Sequence, residues 1–126
     1  MILRLTNKVL AGEDRFVKDA RSGLKIVKVR DHLIIYRHGE LKLWVDMELH
    51  YVVSWHVSTQ AEVTSFNRIL ALVNCSDHYE FIRSGRTVLL QSGLDFYRAE
   101  EYNDTFGPDS RGYSLARQSD PTTGAG

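Results

Sequence analysis

Residues 24–57 hold the feature that most limits what this chain can become. Two runs rich in β-branched and aromatic residues, Leu33-Ile34-Ile35-Tyr36 and Leu41-Lys42-Leu43-Trp44-Val45, flank the pair His38-Gly39. Such a pair is a hairpin signal, because the tight turn that matches strand twist needs positive φ, which glycine accepts freely. Pairing outward sets Arg37 opposite Glu40, Tyr36 opposite Leu41, Ile35 opposite Lys42, Ile34 opposite Leu43 and Leu33 opposite Trp44. A weaker reversal at Arg30-Asp31 adds residues 24–29, with Val29 opposite His32 and Val27 opposite Ile34. Residues 51–57 alternate as a fourth strand.

Opposed residues share a sheet face, so this register sorts the side chains. One face is apolar: Val27, Val29, Ile34, Tyr36, Leu41, Leu43 and Val45. The other is mixed: Ile26, Lys28, Leu33, Ile35, Arg37, Lys42 and Trp44. An antiparallel sheet facing water is normally more polar than that second face, which therefore calls for a cover.

The helix signal is equally local. Thr59 and Glu62 form the T-x-x-E pattern of a capping box, just ahead of Val63, Phe66, Ile69, Leu70 and Val73 at helical spacing. Asn74 closes the helix. A hairpin follows, Tyr79 to Arg83 and Arg86 to Gln91 about a Ser84-Gly85 turn, and Leu94, Phe96 and Tyr97 are expected to dock back on the body. Before the meander, Ile2, Leu3 and Leu5 are expected to begin a strand and Glu13 to Ala20 a short helix stopped near Ser22-Gly23.

The predicted class is α+β: an antiparallel meander over about 24–57 packed on one amphipathic helix over about 60–74, then a hairpin over about 79–91. At 126 residues, 43% apolar and 25% charged, one domain over 1–102 is expected, followed by a Gly, Pro, Ser and Thr-rich tail over 103–126, flexible or held by a partner. Cys75 is the single cysteine, so no internal disulfide forms, and no apolar run nears the roughly 20 residues that span a bilayer. The N-terminus lacks a signal-peptide pattern, and the expected location is cytoplasmic, the host cytoplasm for a viral chain.

His50 and His56 lie on one strand about 20 Å apart at strand rise, too far to share a metal ion, and no other histidine spacing fits one. Ser54, His56 and Ser58 alternate onto one face without an acid to orient the imidazole, which leaves Asp46 with His56 as the pair for acid–base work. Neither phosphate-binding glycine motif is present. No cofactor or metal is expected, and the reading leans away from an enzyme.

What remains is the mixed face. Leu33, Ile35, Arg37, Lys42 and Trp44, with His56 beside them, combine apolar bulk, an arginine and a tryptophan, the composition of interface cores. The expected function is a non-enzymatic protein-interaction module of accessory, inhibitor or assembly-subunit type, of a size common among phage and mobile-element proteins, binding another protein or itself as a homo-oligomer. An oligonucleotide-binding domain using a basic and aromatic sheet face is the alternative, and a small hydrolase comes third. Charge divides unevenly: residues 1–42 hold ten basic and five acidic side chains, residues 43–126 six and eleven, for a net of zero. Zero net charge weighs against bulk nucleic-acid binding. The imbalance still suits head-to-tail association or one basic patch for an anionic partner.

Overall fold

A computed structural model describes residues 1–12 and 15–113. The N-terminal segment reverses the expected order of strand and helix. Ile2–Leu10 form helix α1, with Leu5, Thr6 and Val9 buried on one stripe and Thr6 Oγ1 donating to the Ile2 carbonyl at 2.7 Å. Phe16–Asp19 form strand β1, paired with β2 (Leu24–Val29) from Phe16 opposite Val27 to Asp19 opposite Leu24. The expected Glu13–Ala20 helix fails because Val17 alternates onto the row of Ile26, and that long-range pairing outweighs local preference. Glu13 and Asp14 of that span lie outside the described residues. Ser22 closes a turn instead, its N–H and hydroxyl both donating to Asp19 Oδ2.

Strands β3 (His32–Arg37), β4 (Glu40–Asp46) and β5 (Tyr51–Trp55) complete a five-stranded antiparallel meander in chain order. His38 at φ 51° and Gly39 at φ 80° make the expected turn, and Val29 meets His32 and Val27 meets Ile34 as the sequence predicts. The β3–β4 register departs from expectation after two pairs. Arg37 faces Glu40 and Tyr36 faces Leu41, but then Ile35 faces Leu43, Ile34 faces Trp44 and Leu33 faces Val45. The extra residue is Lys42, a bulge that turns every later side chain of β4 to the opposite face. Val17, Ile26, Ile35, Leu43 and Trp55 consequently form one row across all five strands, and Phe16, Val27, Ile34, Trp44 and Ser54 form the next.

Helix α2 (Gln60–Leu72) begins at the predicted capping box: Thr59 accepts from the Glu62 N–H, and Glu62 accepts from the Thr59 N–H. It ends where Asn74 adopts the left-handed conformation, φ 60°. Strands β6 (Tyr79–Ser84), β7 (Thr87–Ser92) and β8 (Asp95–Tyr97) form a second antiparallel sheet. Its first turn is Gly85-Arg86, one residue later than expected, because Gly85 at φ 62° takes the first central position. That shift also replaces an Arg83–Arg86 opposition with Arg83 opposite Val88. Helices α3 (Ala99–Phe106) and α4 (Pro108–Arg111) follow, so the expected boundary at 102 falls inside a helix. Residues 114–126 of the expected tail lie outside the described residues.

One hydrophobic core joins these pieces. Trp55 of β5 meets Phe81 of β6 edge to face at 5.2 Å, and Tyr51 meets Tyr79 at 6.3 Å. Two asparagines close sheet edges. Asn103 on α3 accepts from the Trp55 N–H at 3.2 Å and donates to the Trp55 carbonyl at 3.0 Å. Asn67 on α2 treats Phe81 the same way, at 2.7 and 2.9 Å. Each side-chain amide stands where a neighbouring strand would, leaving β1 and β8 as the open edges among the described residues.

Candidate functional site

The six residues expected to form a partner-binding face are dispersed. Leu33 and Ile35 are fully buried, and Trp44 is 1% exposed on the opposite side of the sheet from Ile35. Arg37 is half-buried opposite Glu40. Lys42, set at the bulge, reaches Glu62 at 3.4 Å, Glu40 at 3.8 Å and the His56 carbonyl at 3.3 Å. It ties the sheet to the start of α2 and is not offered outward. His56 is exposed, its ring 3.4 Å from Asn103 Nδ2.

The inward turn of Trp44 builds a cluster that the sequence did not announce. Its Nε1 donates to His32 Nδ1 at 3.0 Å, which leaves the second imidazole nitrogen as the protonated one. Tyr113 lies edge-on to both rings, at 5.1 Å from His32 and 5.6 Å from Trp44, and donates to Asp46 Oδ2 at 2.6 Å. Asp46 Oδ1 accepts from the N–H groups of Glu48 and Leu49. Burial opposes ionisation of Asp46, but the Tyr113 hydroxyl and these backbone donors outweigh it and hold the carboxyl below its ordinary pKa. Burial, with the neighbouring carboxylate, pushes the Tyr113 hydroxyl well above its usual range.

This geometry fastens chain segments together. Both Asp46 oxygens are occupied, and the expected partner His56 is replaced by His32 and Tyr113. Arg111 stacks over the Tyr51 ring at 3.8 Å, and Tyr51 donates to the Phe106 carbonyl, so with the Tyr113–Asp46 bond three contacts seat the end of α3 and the segment after it on the meander. Cys75 is fully buried, and burial raises its thiol pKa to about 11, where the reactive thiolate is scarce at neutral pH. Among the described residues no three His, Cys, Asp or Glu side chains gather as a metal site.

Leu94, the most exposed large apolar side chain described, and the exposed aromatic Phe96 lie together at β8 and the turn before it. Tyr97 docks as expected, ringing with Tyr102 and Phe106, but Leu94 is 94% exposed and Phe96 is 52% exposed. The reason is the β7–β8 turn, Gly93-Leu94, with Gly93 at φ 64°. With Ser92 opposite Asp95 as the closing pair, strand alternation sends Tyr97 inward with Phe81 and Leu90, and Phe96 outward with Gln91. Half-buried Ile82 and Leu89, opposed on β6 and β7, share that outer face.

Backbone direction follows the same alternation. In a two-residue hairpin the closing pair exchanges hydrogen bonds and the next pair does not. Phe81, opposite Leu90, stands three steps from the Ser84-Thr87 closing pair and so in a non-bonded pair, and accordingly turns its N–H and carbonyl away from β7, where Asn67 meets them. Phe96 stands next to its closing pair in the same way, so its N–H and carbonyl point off the sheet. β1, the other open edge, carries Lys18 and follows Arg15, charges that discourage edge pairing. β8 carries Asp95 and is followed by Arg98, opposite charges that frame the apolar Phe96 and Tyr97.

Searches against protein-family models, curated proteins and solved structures returned no match. No helix among the described residues is long and apolar enough to cross a membrane.

Proposed function

We propose that this chain is a protein-interaction module that works through the open edge of β8, and that its first partner is a second copy of itself. The observation that carries the reading is the coincidence, at Phe96, of an exposed aromatic side chain with an outward-facing backbone N–H and carbonyl. A strand edge of this kind is completed by β-augmentation. Antiparallel pairing of two β8 strands about a two-fold axis sets Phe96 opposite Phe96 of the partner subunit, and Leu94 opposite Arg98 of the partner subunit. No like charges are opposed, and the aromatic pair exchanges two backbone hydrogen bonds. The zero net charge of the chain leaves little repulsion between copies.

The interface is short. Burying Phe96 and Leu94 from each copy contributes about 1.5–3 kcal/mol per side chain at full burial. Association itself costs about 4–15 kcal/mol, so a weak dimer with Kd about 10 µM to 1 mM is expected. Light scattering over a concentration series tests it. The native chain should approach twice the monomer mass at high concentration, while Phe96→Glu stays folded and monomeric. A native chain that remains monomeric to about 1 mM, or a Phe96→Glu variant that dimerises equally, overturns the β8 reading. A salt-sensitive mass increase only with single-stranded DNA or RNA would favour the oligonucleotide-binding alternative.

A further inference from the structure

We infer that His32, Trp44, Asp46 and Tyr113 form a pH-sensitive clasp, in which protonation of His32 exchanges its bond with Trp44 for one with Asp46 and releases Tyr113. The property is separate from pairing through β8, since none of the four residues belongs to the second sheet.

The direction of one hydrogen bond is the first reason. The indole N–H of Trp44 can only donate, and it meets His32 Nδ1 at 3.0 Å, so the bond exists only while Nδ1 carries no proton. A proton placed on Nδ1 makes it a donor and sets two N–H groups against each other. Trp44 is 1% exposed, so water does not readily replace the lost acceptor, and a buried donor without one is costly. His32 itself is 8% exposed and so is not sealed from solvent.

A waiting acceptor is the second reason. Asp46 stands directly opposite His32 across β3 and β4, hence on the same face of the sheet. Its carboxyl is held below its ordinary pKa and is therefore an anion throughout the range in which imidazoles titrate. Asp46 Oδ1 accepts from the Glu48 and Leu49 N–H groups, which leaves Oδ2, now taken by the Tyr113 hydroxyl at 2.6 Å, as the contested atom. A bond between imidazolium and carboxylate has both partners charged and outcompetes one from a neutral phenol. The other charged groups nearby do not supply a rival anion. Arg30 and Asp31, in the turn before His32, are exposed and of opposite sign, and the Glu48 side chain is exposed. Arg111 acts on Tyr113 from its seat over Tyr51, and the Cys75 thiol near Asp46 stays protonated. The cluster thus has two discrete arrangements: Trp44 on His32 with Tyr113 on Asp46, or His32 on Asp46 with Trp44 and Tyr113 unbonded.

The test is an NMR titration of the full chain between about pH 8 and pH 5. The chain has two tryptophans, and the Trp55 indole N–H, buried with no bonded partner among the described residues, serves as the reference. On acidification the Trp44 indole proton should move upfield along one titration curve as its bond is lost, while that of Trp55 stays in place. The Tyr113 ring signals, displaced at neutral pH by the edge-on rings of His32 and Trp44, should shift with the same midpoint towards those of an exposed tyrosine. His32→Gln, whose side-chain oxygen can still accept from the indole but cannot titrate, should abolish both movements. Tyr113→Phe, which leaves Asp46 Oδ2 to the imidazolium, should keep the Trp44 movement and carry its midpoint to higher pH. A Trp44 indole signal that stays fixed in the folded native chain, or one that still titrates in His32→Gln, overturns the clasp. So does a Tyr113 ring that stays in place while the indole moves, or a Tyr113→Phe midpoint that does not rise.

Discussion

Arg30, at the turn between β2 and β3, holds φ at 54°, a conformation that costs a residue with a side chain about 1–2 kcal/mol. The hairpin forms despite it because the strands on either side bury Val27, Val29, Leu33 and Ile34. Arg30→Gly removes the clash at some cost in chain entropy, and should raise the stability measured by denaturant titration by up to about 1 kcal/mol. Asp46 supplies a second prediction at this scale. Its folded-state pKa lies below the unfolded value near 3.8, so its contribution is complete at neutral pH and is lost as pH falls through the folded-state pKa. Asp46→Asn should therefore be less stable than the native chain at pH 7, and the gap should close below about pH 4. A gap that stays constant across that range would mean the carboxylate charge is not what Tyr113 and the backbone amides hold.

The elements divide into those written locally and those decided at a distance. The capping box at Thr59 and Glu62, the left-handed stop at Asn74 and the His38-Gly39 turn are set by neighbouring residues, and each stands where the sequence puts it. The bulge at Lys42 is not legible in the sequence: nothing within β4 marks it, and the contact the lysine makes there, with Glu62, lies twenty residues on. That one slip moves Trp44 to the opposite face and dissolves the expected mixed surface. β1 departs from the expected helix through contacts equally far along the chain, its pairing with Val27 and Ile26. The edge closures by Asn67 and Asn103 lie equally far from their strands in sequence. Asn103→Ala and Asn67→Ala should each cost about 1–3 kcal/mol, read from the denaturation midpoint, because a backbone N–H and carbonyl lose their partners together. Losses under about half a kcal/mol, the range of ordinary surface changes, would show that water replaces the amide without penalty.

At the scale of the whole molecule, β8 was visible in the sequence only as apolar residues after a hairpin, with nothing to say which of Leu94, Phe96 and Tyr97 turns inward. Strand alternation from the Gly93-Leu94 turn decides it, packing the half-buried Tyr97 against α3 and leaving Phe96 at the rim. Lys18 and Lys25 belong to the five-stranded sheet, while the apolar open edge belongs to the other one. Amide hydrogen exchange at Phe96, followed in dilute and in concentrated solution, addresses the pairing at the bond it would form. Exchange at Phe96 should slow by about twofold once half the chains are paired and further at higher concentration, while the Phe81 amide, bonded within its own chain to Asn67, keeps one rate throughout. Equal exchange of Phe96 at both concentrations would contradict the pairing of β8 with a second copy.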